Sequence, residues 1–266
     1  MAGYYQLLQR QQLAIDHQYA RYCATDLAQG AWNEHEQHMA PATGIICAEL
    51  DYFMPRADMR IGRISLDILG LIPKGEFEIV TKVIRPGKTI ELIESIFTAQ
   101  GKTCIVARTW RMLVNDTQAV HGIEDQAVAG PEQAAVWHEI QNWPGGYIRS
   151  IEARTTERRP GKGVVWLNSY ADMVEGEATS DFVRLMGMID TANGIVTRQN
   201  WPFQYSFPNL DLQIHLYRMP VGAWLGLEAV QQYGSDGIGL TSAVLHDQKG
   251  PFGRSEQILT LRKMTE

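Results

Sequence analysis

The chain is poor in cysteine. Cys23, Cys47 and Cys104 are the only three among 266 residues, and no two of them form a Cys-x-x-Cys pair. An odd count without that spacing speaks against a disulfide framework and a Cys-rich zinc site, and it fits a reducing compartment. Long apolar runs are missing too. No stretch approaches the roughly 20 apolar residues that cross a bilayer, and the opening MAGYYQLLQRQQLAID lacks the apolar core of a signal peptide. A soluble, cytoplasmic chain without a membrane partner is expected. Positive charge is in deficit, with 24 Lys and Arg against 30 Asp and Glu and a net charge of −6. The basic footprint of a general nucleic-acid binder is therefore absent. An anionic small molecule is not excluded, because a few local cations and backbone N–H groups suffice for one. No His-Glu-x-x-His or other spaced His/Asp cluster occurs, so neither a metal nor another cofactor is expected. The Gly-rich stretch Gly234–Gly239 lacks the Lys-Ser/Thr of a phosphate loop and reads as a turn.

Strand signals are plentiful. From Arg63 to Leu113 the chain alternates apolar and polar residues in three runs, Glu76–Val83, Lys88–Thr98 and Lys102–Leu113. Breaks at Pro73-Lys74-Gly75, Arg85-Pro86-Gly87 and Gln100-Gly101 separate them, the pattern of an antiparallel meander. A second such segment runs from Asn209 to Lys263. Pro73 and Pro220, Gly75 and Gly222, and Gly87 and Gly234 are each 147 residues apart. An offset held over three turns, with matching strand lengths between them, points to a duplicated unit. A helix is predicted before each meander, over 41–54 and over 179–196. Pro41 suits a first helical turn. Thr179 or Ser180 suits a cap with Asp181 beside it. The second helix is apolar nearly all round, as a buried helix is.

Each half thus reads as a short strand, a buried helix and four antiparallel strands. The predicted fold is α+β: two antiparallel sheets, each wrapped around a central helix and joined edge to edge, so that each covers the other's open edge. The predicted division is 1–114, a linker over 115–145, and 146–266.

At this point the chain resembles the acyl-CoA thioesterase II-like family, a double-hotdog family, over nearly its whole length. The resemblance is carried in the first half by Gly30-Ala31-Trp32, Gln37-His38, Arg63-Ile64-Ser65-Leu66-Asp67 and Val83-Ile84-Arg85-Pro86-Gly87-Lys88. In the second half it is carried by Asp190-Thr191-Ala192-Asn193-Gly194, Asn209-Leu210-Asp211-Leu212, His215 to Pro220, Gly222-Ala223-Trp224 and Gly253-Arg254-Ser255-Glu256-Gln257. It implies hydrolysis of an acyl-CoA thioester to a carboxylic acid and free coenzyme A, and a homo-oligomer of two or more copies. In the family an Asp on the second helix, a Thr or Ser early in the next strand and a Gln in the last strand hold the attacking water. The matching positions are Asp190, Asn209 and Gln257. Asn209 departs from the hydroxyl, although an amide can also orient a water. Met39 and Ala40 depart from two glycines that many relatives carry after the position of His38.

The chemistry of a thioester asks for little: a carboxylate to orient or deprotonate water, and donors where the oxyanion develops. Asp190 sits in an apolar helical stretch, where burial would raise its pKa into a useful range. Plainer readings stand beside these. Asp190 as a local backbone cap, Gln257 as an exposed strand amide and Asn209 as a turn residue after Pro208 all fit the residues. Asp67 and Asp211 read as structural carboxylates paired with Arg63 or Arg218, and Cys47 as a buried small hydrophobe. The cluster from Trp201 to Pro208 suits an acyl tunnel, a lid, or a loop packed on the core. Arg154 to Lys162 reads as a solvated hairpin tip more readily than as a phosphate site. Two alternatives to a hydrolase stay open. One is a non-catalytic acyl-CoA binding protein on the same scaffold, favoured by the departures at 39, 40 and 209. The other is a hotdog hydratase, disfavoured because no His follows Asp190 within a few residues.

Overall fold

A computed structural model describes residues 2–264. The chain opens with a hairpin, β1 (Gly3–Ala14) and β2 (His17–Ala24), followed by the helix α1 (Met39–Tyr52). The strands β3 (Met59–Ile68), β4 (Glu76–Arg85), β5 (Ile90–Ala99) and β6 (Lys102–Leu113) come next. After a stretch of 3-10 turns come β7 (Ala135–Val136), α2 (Gly146–Arg149), β8 (Ile151–Arg159), β9 (Lys162–Ser169) and β10 (Asp172–Val174). Two short helices, α3 (Asp181–Met186) and α4 (Ala192–Ile195), precede β11 (Tyr205–Ser206), β12 (Asp211–Leu216), β13 (Trp224–Tyr233), β14 (Ile238–Asp247), β15 (Gly250–Thr260) and β16 (Arg262–Lys263).

The strands form them for ordinary reasons. In β5 the alternate residues Glu91, Ile93, Ser95, Phe97 and Ala99 are buried while their neighbours are not, the period of two that a half-buried strand requires. Where β5 buries a charge, it is met: Glu91 pairs with Arg111 of β6, whose Nη1 also donates to the carbonyls of Phe53 and Met54 at the end of α1.

Fourteen strands make one sheet, in the order β10-β1-β2-β4-β5-β6-β3-β12-β15-β14-β13-β9-β8-β7. The run β1-β2-β4-β5-β6-β3 is repeated in reverse as β12-β15-β14-β13-β9-β8, so the sheet has an internal two-fold relation centred between β3 and β12. Strands β3, β4 and β5 end at Ile68, Arg85 and Ala99, and β12, β13 and β14 end at Leu216, Tyr233 and Asp247, a constant offset between equivalent strands.

The halves join edge to edge, and the join makes one sheet where two were expected. Strands β3 and β12 hydrogen-bond to each other in antiparallel register, Ile64 opposite Ile214 and Ser65 opposite Gln213, and fuse the strands into a single sheet. Each would otherwise carry a row of unpaired backbone donors and acceptors, and pairing satisfies both rows. The opening strand of each half is in fact a two-stranded hairpin, β1–β2 and β8–β9.

Helix α1 is buried along most of its length, as an apolar helix should be. It begins two residues before Pro41, which falls in the first turn where no helical hydrogen bond is lost. The second predicted helix is not continuous. Its chain leaves α3 at Gly187, passes through a 3-10 turn over Ile189–Thr191 and resumes as α4. Glycine is a poor helix residue, and here it is needed for packing. A Cβ on Gly44 of α1 would lie 2.9 Å from the Cα of Gly187. The two helices therefore cross at a glycine pair. No described helix is long and apolar enough to cross a membrane.

Gly44→Val is expected to drive the crossing apart and cost about 1–3 kcal/mol of stability, the usual range for overpacking. A urea unfolding curve measures it. An unchanged midpoint would show that the close approach is not required.

Candidate active site

The break after α3 decides the site, because it puts Asp190 on a 3-10 turn within reach of Asn209 and Gln257. Asp190 is buried, 5% exposed. Its Oδ1 accepts from Asn209 Nδ2 at 2.8 Å and from Gln257 Nε2 at 3.0 Å. Asn209 lies just before β12, bridged to Leu259 of β15, and its Nδ2 also donates to the Asp211 carbonyl at 3.1 Å. Gln257 is an inward-facing residue of β15, opposite Thr241 of β14. The structure thus brings together the three residues that the sequence singled out. Gln257 is a buried amide, not an exposed one. Burial pushes the Asp190 carboxyl up to about 6, and the Asn209 hydrogen bond opposes that rise.

His38 completes the constellation from the other half of the sheet. It caps α1: its Nδ1 accepts from the Ala40 N–H at 3.0 Å and lies 3.5 Å from Asp190 Oδ2. The Tyr147 ring packs against the imidazole at a centroid distance of 4.3 Å, and the Tyr147 hydroxyl shares a hydrogen bond of 2.6 Å with Thr191. Burial holds the His38 pKa down at about 3. The sequence treats His38 as isolated, because its partner lies far along the chain and on the other half. The signal that could have found it is its place just before the first helix, where a side-chain acceptor is favoured.

A cavity of about 540 Å³ opens beside these groups, and His38, Met39, Asp190 and Asn209 line it. Trp32, Trp137, Trp143 and Phe207 line it too, with Leu69 and Leu71. Trp32 meets Trp143 at 5.5 Å and Phe207 at 5.2 Å between ring centroids, both edge-to-face. Of the aromatic stretch from Trp201 to Pro208, Phe207 and Pro208 line the cavity, while Trp201 is exposed. Trp137 and Trp143 come from the stretch predicted as a linker, which therefore contributes walls.

Other expectations resolve locally. Asp67 faces solvent and Asp211 accepts from the Ile258 N–H and Gln213, so neither pairs with Arg63 or Arg218. Arg218 instead binds Asp247 in a two-pronged pair. Cys47 is buried in the core, and its thiol pKa is raised by that burial. His215 is exposed. In the basic hairpin tip between β8 and β9, Arg158 donates to the Ile195 carbonyl and stacks on Trp137. Among the described residues no group of His, Cys, Asp and Glu side chains is placed to hold a metal ion.

Two family profiles match the sequence: an acyl-CoA thioesterase N-terminal domain over residues 28–112, and an acyl-CoA thioesterase C-terminal domain over residues 131–261. The chain belongs to the acyl-CoA thioesterase family. No curated protein sequence matches it. Solved structures similar to this thioesterase-family chain include a hot dog fold protein of unknown function from Alicyclobacillus acidocaldarius, 9% identical, covering 97% of each chain at a TM-score of 0.75. The acyl-CoA thioesterase II TesB2 from Mycobacterium marinum is 13% identical, covering 97% of each chain at 0.67. An inactive histidine-to-phenylalanine mutant of the CurJ dehydratase is 11% identical, covering 97% of this chain and 96% of its own, at 0.59. At these identities the likeness establishes the hotdog fold that the family shares.

The raised Asp190 pKa has a cost in stability. An unfolded Asp titrates at roughly 3.9. Between that value and about 6 the native chain keeps a proton that the unfolded chain has lost. Stability therefore falls as pH rises through this window and is level above it. Asp190→Asn removes the effect and is expected to stabilise the protein at pH 7 by about 1–3 kcal/mol. Urea unfolding at pH 4, 5.5 and 7 measures this. A variant less stable than the parent at pH 7 would contradict it.

Proposed function

We propose that this member of the family hydrolyses an acyl-CoA thioester by direct attack of water, with Asp190 as the general base and Asn209 and Gln257 as its orienting partners. The observation that carries this reading is the buried Asp190 carboxylate at the cavity wall, with Oδ1 fixed by two amides. Oδ2 is then the oxygen left to take a proton. Asn209 spends its Nδ2 on Asp190, and its Oδ1 meets no protein donor among the described residues. That oxygen can accept one hydrogen of the attacking water while Asp190 accepts the other. The amide therefore serves where a hydroxyl would, and the departure at this position does not remove a water-holding group.

The steps balance without a cofactor. The water oxygen bonds to the thioester carbon, its proton passes to Asp190, and negative charge develops on the carbonyl oxygen. Collapse breaks the carbon–sulfur bond, and the departing thiolate takes the proton back from Asp190. The products are the carboxylic acid and free coenzyme A. A base with a pKa close to the working pH is suited to this exchange. The apolar wall of Trp32, Trp143, Phe207 and Leu71 fits an acyl group, and it supports an apolar or aromatic chain over a polar one. We divide the chain accordingly into a first hotdog over 1–114, a connecting segment over 115–145 and a second hotdog over 146–266, with the site drawing on all three.

A second reading has one observation in its favour. Hydration or dehydration of an acyl thioester on this fold usually pairs a His with a carboxylate, and His38 Nδ1 lies 3.5 Å from Asp190 Oδ2. No His follows Asp190 within a few residues, but His38 reaches it from the first half of the chain. The inactive CurJ dehydratase mutant shows a His that matters in that protein.

Release of free thiol from a panel of acyl-CoAs tests the hydrolase. The wild type is expected to turn over with an acid limb near pH 6, and Asp190→Asn to lose roughly 10²–10⁴-fold. Full activity in the variant would remove Asp190 from the role of base. Tight binding without turnover would make the protein an acyl-CoA binder. Loss of the enoyl absorbance from an enoyl-CoA without thiol release would favour the hydratase.

A further inference from the structure

Three N–H groups and one imidazole gather where α1 begins, and only some are free to act. The Ala40 N–H is spent on His38 Nδ1 at 3.0 Å. The Ala42 N–H is spent on the His38 carbonyl at 3.3 Å. Pro41 has no N–H to give. The Met39 N–H meets no acceptor among the described residues, and Met39 lines the cavity. The same hydrogen bond that caps the helix fixes the histidine. Nδ1 accepts a proton's hydrogen bond, so in the neutral ring the proton sits on Nε2. Nε2 has no hydrogen-bond partner among the described residues, and His38 too lines the cavity.

We propose that His38 is a catalytic residue whose neutral Nε2–H donates to the thioester carbonyl oxygen, with the Met39 N–H as the second donor to the oxyanion. This rests on the hydrolase reading. It gives His38 the opposite role from a base. A ring whose Nε2 already carries the proton has no lone pair there to take one. Burial also holds the ring neutral well below pH 6, so it donates across the whole working range of Asp190. The positive end of α1, fourteen residues long, favours negative charge at the same place. Base and electrophile then come from opposite halves of the sheet: Asp190 activates water on one side of the carbonyl, and His38 withdraws charge from its oxygen. Fixed donors aimed at developing charge are among the largest single contributions to such reactions.

Two substitutions separate the cap from the donor. His38→Asn keeps an acceptor at the position of Nδ1, and Asn is a favoured helix cap, but it has no donor at the position of Nε2. His38→Gln restores a donor near Nε2 and gives up the cap. Each is examined in thiol release and in the infrared carbonyl band of a bound acyl-CoA ketone analogue, in which methylene replaces the thioester sulfur. His38→Asn is expected to lower kcat by roughly 10²–10³-fold, with KM little changed and the acid limb near pH 6 intact. It is also expected to shift the carbonyl band to higher wavenumber. His38→Gln should recover part of both. An unfolding curve for each variant confirms that it is folded.

A His38→Asn enzyme with wild-type kcat and an unmoved band would overturn the proposal. So would a lost kcat with an unmoved band, or loss of the acid limb, which would make His38 a base. A wild type that releases no thiol, yet shows a shifted band that His38→Asn abolishes, would uphold the carbonyl contact and sink the hydrolase. Failure of the ketone analogue to bind would sink both.

Discussion

A carboxylate withdrawn from water must either be met by donors or give up its charge, and Asp190 is placed between the two. Two side-chain amides reach one of its oxygens, from Asn209 and Gln257. No cation does. A guanidinium at that distance would hold the group far below its ordinary pKa and leave it a poor base. Two neutral amides fix its position, the Asn209 bond offsets only part of the rise that burial causes, and the pKa rests at about 6. The broken second helix, the close glycine crossing and the inward face of β15 all serve that placement. In the proposed mechanism the stability given up at neutral pH is the counterpart of having a base ready there.

The sheet's internal two-fold relation sets equivalent positions of the two halves side by side, and their chemistry differs. Asp190 comes three residues after Gly187 at the helix crossing, and Cys47 comes three residues after Gly44. Gln257 stands opposite Thr241 in β14–β15, and Thr109 stands opposite Ile93 at the equivalent place in β5–β6. A buried thiol and a hydroxyl cannot hold and ionise as a carboxylate and an amide do. The first half instead supplies the start of α1, with His38 and the free Met39 N–H. In the proposed mechanism one pair of halves therefore makes a single site, with the base from one half and the electrophile from the other. The union of β3 with β12 keeps the two in register.

Much of this was legible in the sequence, because it lies in local patterns. Alternation marked the run from Lys102 to Leu113, which is β6 to the residue. Repeated Pro and Gly turns exposed the duplication, and an Asp in an apolar helical stretch stood out. What was not legible depends on contacts between distant parts of the chain. The second helix reads as continuous because its apolar residues continue, and only the crossing at Gly44 shows why it stops. The edge-to-edge join was read from the open edges, but its making one continuous sheet through β3 and β12 rests on backbone bonding, which side-chain patterns do not report. Gln257 looks like any strand amide until the face it occupies is known. His38 looks solitary because its partner is on the other half. Trp137 and Trp143 look like linker residues because nothing local places the segment over the cavity.

The most direct measurement follows the protonation of Asp190 itself, by difference infrared titration of its carboxyl band against the Asp190→Asn variant, beside the pH dependence of kcat/KM for thiol release. The account requires the two to share a midpoint near pH 6. A carboxylate ionised throughout, down to the ordinary range of an exposed Asp at roughly 4, or a rate limb that ignores the carboxyl's titration, would contradict it.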